Sequence, residues 1–294
     1  MQILTNDNQQ ELKSHGDFTF PVLVSCENIR NYEFETFSWH WHSEIELTLI
    51  IEGEMIYQIN GNSYHLKSGN ILFGNANTLH SGHSVQGQPC HYWSITFDPK
   101  IIYGFEDSLI QTHYVNFILN NSEFAALYFD GTRSWHRELR NLMEKIISLD
   151  REKQDFYELE IQMKLSAIWL LLLKHRTSFS SVQDTLNPKE VERLKNILGY
   201  IHDNYNKKIS LDDIAGSVHI CKSECCRFFK KHMKESLFDY LLRYRVERSI
   251  PYLKDANYNI TEAALHSGFS DSGYYSRVFR KYTGCSPSAF RKKD

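Results

Sequence analysis

Cys226-Arg227-Phe228-Phe229-Lys230-Lys231 is echoed fifty residues later by Ser276-Arg277-Val278-Phe279-Arg280-Lys281. Upstream, Leu211-Asp212-Asp213-Ile214-Ala215 is echoed by Ile260-Thr261-Glu262-Ala263-Ala264. A repeat at fixed offset is one structural unit used twice. Each copy reads as a short helix, a turn and a longer basic helix. The turns are Gly216-Ser217-Val218-His219 and His266-Ser267-Gly268-Phe269. That is the layout of a helix-turn-helix. Ser210 can cap the first short helix, with Asp213 in its first turn. Ala215 and Ala264 are small where two helices must cross closely.

The helical period separates two faces on each longer helix. Cys225, Phe228 and Phe229 turn inward on the first, and Tyr275, Val278 and Phe279 on the second. Ser223, Cys226, Arg227 and Lys230 turn outward on the first. Ser272, Gly273, Ser276, Arg277 and Arg280 do so on the second. Small polar residues beside an arginine suit base edges in a major groove. The flanking Lys222, Lys231, Lys281 and Arg291 suit phosphates, which set register and affinity. One such hairpin is equally an ordinary amphipathic pair with a solvated basic face. Two in register favour DNA, because they occupy the cationic part of the chain. Residues 1–188 carry 13 Lys+Arg against 23 Asp+Glu, whereas residues 189–294 carry 20 against 13.

The 294 residues suit two domains. At 41% hydrophobic and 23% charged the composition is that of a globular chain, which excludes disordered and fibrous classes. The longest apolar run, Ala167 to Leu173, is far short of a membrane span. No secretory signal is visible. Six cysteines without a CxxC pair do not make a disulfide framework, so a reducing cytoplasm is the expected compartment.

Residues 18–98 read as closely spaced strands, and hence as a barrel or sandwich. Apolar runs at Ile45–Ile51, Met55–Ile59, Ile71–Phe73 and His91–Phe97 are separated by turn signals at Glu52-Gly53, Asn60-Gly61-Asn62 and Ser68-Gly69-Asn70. From residue 135 the period becomes helical, with Leu139, Leu142, Met143, Ile146 and Ile147 on one stripe. A second helix is expected from about Asp155 to His175. Its apolar end, AIWLLLL, is either buried against the barrel or a subunit interface. Thr177–Pro188 lacks periodicity and reads as a linker.

Residues 194–292 resemble the DNA-binding domain of the AraC/XylS family of bacterial transcription regulators. The resemblance rests on Gly268-Phe269-Ser270-Asp271, Tyr274-Tyr275-Ser276-Arg277-Val278-Phe279-Arg280-Lys281 and Gly284-Cys285-Ser286-Pro287-Ser288-Ala289-Phe290-Arg291. Tyr240 and Arg245 stand where the family has its linker-helix tyrosine and arginine. The resemblance implies a linker helix over roughly Leu237 to Leu253 that holds two readers about one DNA turn apart, ~34 Å. It implies groove-facing roles for Ser223, Cys226, Arg227, Ser272, Gly273, Ser276 and Arg277. There are departures. Cys221 replaces a capping serine, Glu224 brings an acid to the first recognition helix, and Pro251 predicts a kink or early stop in the linker helix. Cys221 and Cys225, four apart, also raise a redox-switch reading.

His40-Trp41-His42, then Glu46 and Gly53, resembles the first cupin motif, with Phe34 where its opening glycine is usual. Gly69 and His80 match part of the second, with Asn75 and Asn77 in place of proline and glycine. If the strand at Ile45 extends back to His40, the period of two puts 40, 42 and 46 on one face. Three readings stand. His40, His42, Glu46 and His80 hold a catalytic metal, as in cupin enzymes; they hydrogen-bond a small molecule; or they serve the fold alone. Trp39, Tyr57, Tyr64, Trp93 and Phe73 either line such a pocket or are core aromatics. His83 and His91 read as surface or core histidines.

The fold class expected is α+β and multidomain. A cupin-like β-barrel with a helical hairpin (1–176) precedes a linker (177–188) and an all-α domain of two helix-turn-helix units joined by a linker helix (189–294). The function expected is that of a non-enzymatic, DNA-binding transcription regulator without a cofactor. Its barrel senses a small molecule, by family analogy a sugar or sugar derivative. The partners expected are double-stranded DNA, that effector, a second copy in a homodimer, and RNA polymerase if the protein activates. No membrane is expected.

Overall fold

The computed structural model describes residues 2–6, 8–179 and 186–292. The chain divides into two compact units, one ending at Val191 and the other running from Glu192 onward. Within the linker expected at 177–188, residues 180–185 lie outside the described residues.

Among the described residues, the first unit is built on eight antiparallel strands: β1 (Val22–Asn28), β2 (Thr36–His40), β3 (Ile45–Ile59), β4 (Asn62–Lys67), β5 (Ile71–Gly74), β6 (His80–Ser84), β7 (Cys90–Phe97) and β8 (Ala126–Phe129). One sheet runs β1-β7-β3-β5-β8, and a second joins β2, β6, β3 and β4. β3 serves both, its first half in one sheet and its second half in the other. The sheets do not close on each other, so the expected barrel is an open, cupin-like sandwich. The turn read at Glu52-Gly53 is instead a bulge within continuous β3, where the register against β7 shifts between Ile50 and Glu52. Gly53 is required there: its φ is +81°, and a Cβ would meet the Pro89 carbonyl at 2.1 Å. Asn60-Gly61 forms the expected tight hairpin, with φ of +45° and +82° and Ile59 opposite Asn62.

Strand alternation divides the first sheet into two chemistries. Ile45, Leu47, Leu49, Ile95 and Phe97 face a core shared with a helical hairpin, α1 (Ser134–Glu152) and α2 (Tyr157–Lys174). Leu139, Met143, Ile146, Ile161, Leu165 and Leu172 fill that core from the helix side. The intervening residues Glu46, Thr48, Ser94 and Thr96 face the inside of the sandwich. The apolar end of α2 is mainly buried, but Leu170 is exposed together with Leu159 and Met163.

The second unit is helical: α3 (Pro188–Asn204), α4 (Leu211–Ser217), α5 (Lys222–Met233), α6 (Leu237–Lys254), α7 (Ile260–His266), α8 (Ser272–Thr283) and α9 (Pro287–Arg291). The short helices α4 and α7 each open with a reciprocal capping box, Ser210 with Asp213 and Asn259 with Glu262. The linker helix α6 runs through Pro251 to Lys254, so the early stop expected there does not occur. Among the described residues no helix is long and apolar enough to cross a membrane.

Candidate functional site

The two longer helices of the repeat, α5 and α8, present the same surface twice. Cys225, Phe228 and Phe229 are buried on α5, and Tyr275, Val278 and Phe279 on α8. Lys222, Ser223, Arg227 and Lys230 are exposed on α5; Gly273, Arg277 and Arg280 are exposed on α8. Cys226, Ser272 and Ser276 are half-buried, and the Ser276 hydroxyl donates to the Ser272 carbonyl. The inward faces are pinned to the linker helix. Tyr275 donates to the Ser249 hydroxyl at 2.9 Å in the interior, and Phe229 packs edge-on against Tyr240. Burial and the nearby Arg248 and Arg243 push the His202 imidazole down to about 3, so it is neutral where its Nε2 meets the Tyr240 hydroxyl at 2.7 Å.

Several sequence expectations change here. Arg291 does not present its guanidinium to phosphate: it donates to the Leu253 and Tyr258 carbonyls at 2.8 and 2.7 Å. Arg245 does the same one unit earlier, to the carbonyls of Tyr205 and Lys207. Each arginine thus ties a helix after one motif to the loop before a short helix. Glu224 is not a stray acid on the reading face, since Arg193 of α3 pairs with it at 3.4 Å and covers Phe228. Lys222 and Lys281 carry exposed partners, Asp212 and Asp239. Surface pairs of this kind are worth little. Cys221 makes no side-chain cap, as expected, and it is exposed whereas Cys225 is buried; both thiols are free.

The turn of the first motif holds His219 at φ +56°, at the position matching Gly268 of the second, φ +85°. A side chain in that region costs about 1 kcal/mol or more, which the greater chain entropy of glycine partly offsets. His219 is exposed. The His219→Gly variant is therefore expected to gain up to about 1 kcal/mol, read as a higher urea midpoint. An unchanged or lower midpoint would contradict the assignment of strain.

Inside the sandwich lies a small polar cavity of about 50 Å³, lined among others by Glu11, His15, His40, Glu46, Tyr57 and Tyr92. His40 comes from β2 and pairs across the sheet with His80 of β6. β3 begins at Ile45, so His40 and Glu46 do not share a strand as expected. They converge because separate strands fold over one another. The His40 and His80 ring centroids are 4.2 Å apart, and those of His42 and His80 are 4.9 Å apart. Glu46 accepts from the Thr48 and Tyr57 hydroxyls at 2.8 and 3.0 Å. Burial opposes its charge, but hydrogen bonding to His42 and the neighbouring His80 hold its carboxyl well below the usual range. Burial pushes the His40 and His80 imidazoles down from the ordinary histidine value.

Of the aromatics expected at the cavity, Tyr57 lines it. Trp93 and Phe73 pack on the opposite, hairpin side of the sheet, because odd-numbered positions of β7 and β5 point that way. Tyr92, one residue from Trp93, lines the cavity instead. Tyr64 sits in a separate depression beside β8 and α1, and Trp39 is buried away from the cavity lining. His83 is half-buried on β6, and His91 meets Asn28 at 3.2 Å. Glu11 and His15 were not legible as site residues. A bridge between Gln10 and Trp41 brings their segment over the cavity, and His15 meets Glu11 at 3.1 Å and Glu44 at 3.3 Å.

Comparison with known proteins agrees with both halves. A family model described as an AraC-like ligand binding domain matches residues 26–167, and one described as a helix-turn-helix domain matches residues 214–293. The chain is 28% identical to the uncharacterized HTH-type transcriptional regulator YdeC of Bacillus subtilis, over 98% of this chain and 97% of that protein. It is 23% identical to the melibiose operon regulatory protein of Escherichia coli, over 86% and 83% of the two chains. It is 25% identical to the lactose operon transcription activator of Staphylococcus xylosus, over 99% and 97%. These matches and the two folded units define a transcription regulator that joins a ligand-binding domain to a helix-turn-helix DNA-binding domain. The chain belongs to the AraC/XylS family.

Proposed function

We propose that Lys222, Ser223, Cys226, Arg227 and Lys230 of α5, and Ser272, Gly273, Ser276, Arg277 and Arg280 of α8, enter two adjacent major-groove segments. The observation that carries this is the matched pair of faces, apolar inside and cationic outside, offset by one repeat. Arg227 and Arg277 read bases, and Lys222, Lys230 and Arg280 take phosphates. The polar cavity takes a small, hydroxyl-rich effector. Its hydroxyl, carboxylate and imidazole lining supports that choice, as do the sugar operons in the names of two relatives. The exposed stripe of Leu159, Met163 and Leu170 along α2 supports a homodimer. The protein acts in the cytoplasm, regulates rather than catalyses, and contacts RNA polymerase if it activates.

The test uses the full chain and duplexes enriched from a random pool. Arg277→Ala should weaken the enriched site by about 1–3 kcal/mol and relax its sequence preference. Lys230→Ala should weaken all duplexes alike and lower the salt slope by about one. Binding that ignores salt, or that neither change alters, would remove the proposal.

A further inference from the structure

The depression beside β8 is built as a binding cleft that neither DNA reading nor the interior cavity uses. It has a volume of about 390 Å³ where β8 gives way to α1, with Phe179, beyond α2, in its wall. Pockets for small molecules run to roughly 300–1,000 Å³. Strand and helix periods sort the lining into a floor and a rim. Phe129, Trp135 and His136 are buried, whereas Asp130, Thr132 and Arg133 are exposed. Phe129 meets Trp135 edge-on at 5.3 Å, Phe179 meets it at 6.0 Å, and the Trp135 ring lies flat on His175 at 4.5 Å. Three rings thus hold the indole in place, and the floor offers an apolar, aromatic surface to a ring from outside.

The rim carries one charge of each sign. Asp130 Oδ1 accepts from the Thr132 amide, the Thr132 hydroxyl and His136 Nδ1, at 3.0, 2.7 and 3.1 Å. The Thr132 bonds hold its carboxyl below the ordinary value. All three contacts fall on Oδ1, and Oδ2 makes no hydrogen bond among the described residues. Arg133, three residues on, brings a guanidinium to the same lining. A ligand that is only anionic sets its charge against Asp130, and one that is only cationic sets its charge against Arg133. A neutral ring takes water from both charges and gives neither a partner. A ring that bears both an ammonium and a carboxylate answers the whole lining. We propose that this cleft binds a free aromatic α-amino acid. The ring lies on Phe129, Trp135 and Phe179, the ammonium donates to Asp130 Oδ2, and the carboxylate pairs with Arg133. The site shares no residue with the interior cavity or the reading helices, so it depends on neither assignment.

The experiment titrates the full-length protein with L-phenylalanine by calorimetry. One equivalent should bind, with a rise in thermal midpoint. L-phenylalaninamide, which lacks the carboxylate, and hydrocinnamate, which lacks the ammonium, should each bind more than about tenfold more weakly. Asp130→Asn and Arg133→Gln should each weaken L-phenylalanine binding by a similar factor. Lys145→Gln, at an exposed position further along α1, should bind as the unaltered protein does. Absence of saturable binding by the unaltered protein at millimolar concentrations overturns the proposal even if the variants fail to fold. Equal affinity for L-phenylalanine and both analogues overturns it too, as does undiminished binding by folded Asp130→Asn and Arg133→Gln.

Discussion

Replacing Gly268 with valine is expected to unfold the C-terminal unit. Gly268 sits at φ +85°, where a β-branched residue is a severe outlier. Space is as restrictive as the backbone. A Cβ would stand 2.2 Å from the Tyr205 carbonyl oxygen and 2.9 Å from both Asn206 Cα and Arg245 Nε. That carbonyl is the one Arg245 holds at 2.6 Å, so relieving the clash also breaks the tie between the linker helix and the loop before α4. Strain, overpacking and a lost charged hydrogen bond together are expected to exceed about 3 kcal/mol. α8 begins four residues later, so DNA binding should vanish at every salt concentration. Gly284→Ala is the control. It shares a positive φ, +75°, but its Cβ meets nothing within 4 Å, so about 1 kcal/mol is the expected loss. Denaturant unfolding followed by circular dichroism separates the two, and a Gly268→Val midpoint close to that of the unaltered protein would refute the close-approach argument.

Arg243→Leu should cost about 3–5 kcal/mol, and adding Glu247→Leu should restore most of it. On α6, Arg243 meets Glu235 at 2.7 Å and Glu247 at 2.8 Å, and lies over the Tyr240 ring at 5.0 Å. The Glu247 side chain is only 5% exposed. Removing the cation leaves the carboxylate of Glu247 desolvated without its partner in this pair, which is the expensive half of breaking a buried ion pair. Removing both charges leaves two apolar side chains on an otherwise well-packed helix, and buried pairs are often replaced that way at little cost. The same group joins the turn after α5 to the helix that carries α8, so the single variant should weaken DNA binding beyond its loss of stability. The measurement is a double-mutant cycle in urea with DNA affinity read in parallel. Equal and additive effects of the two changes would show that the charges act separately.

The helical half was legible because its signals are local. The period of α5 and α8 sorts Phe228 and Phe229 from Arg227, and Val278 and Phe279 from Arg277, without reference to any other part of the chain. Caps follow the same rule, as at Ser210 with Asp213. The barrel was legible as strands and as a histidine set, but its lining was not. Trp93 and Tyr92 are both aromatic and adjacent, and only the pairing of β7 with β3 determines which one meets the cavity. Three positions where a glycine is usual or repeats, Phe34, Asn77 and His219, keep left-handed backbones of +58°, +61° and +56° without it. The surrounding fold holds a conformation that the residue itself disfavours.

Residue order alone determined the two-unit plan and the duplicated helix-turn-helix layout, and singled out His40, His42, Glu46 and His80, because periodicity and spacing act over a few residues. Tertiary packing alone decided that Glu11 and His15 reach the cavity, that Arg291 serves carbonyls rather than phosphate, and that β3 bends through a bulge into both sheets. Those outcomes depend on partners tens of residues away, and they are set by which buried groups find a hydrogen-bond partner once the chain has closed around them.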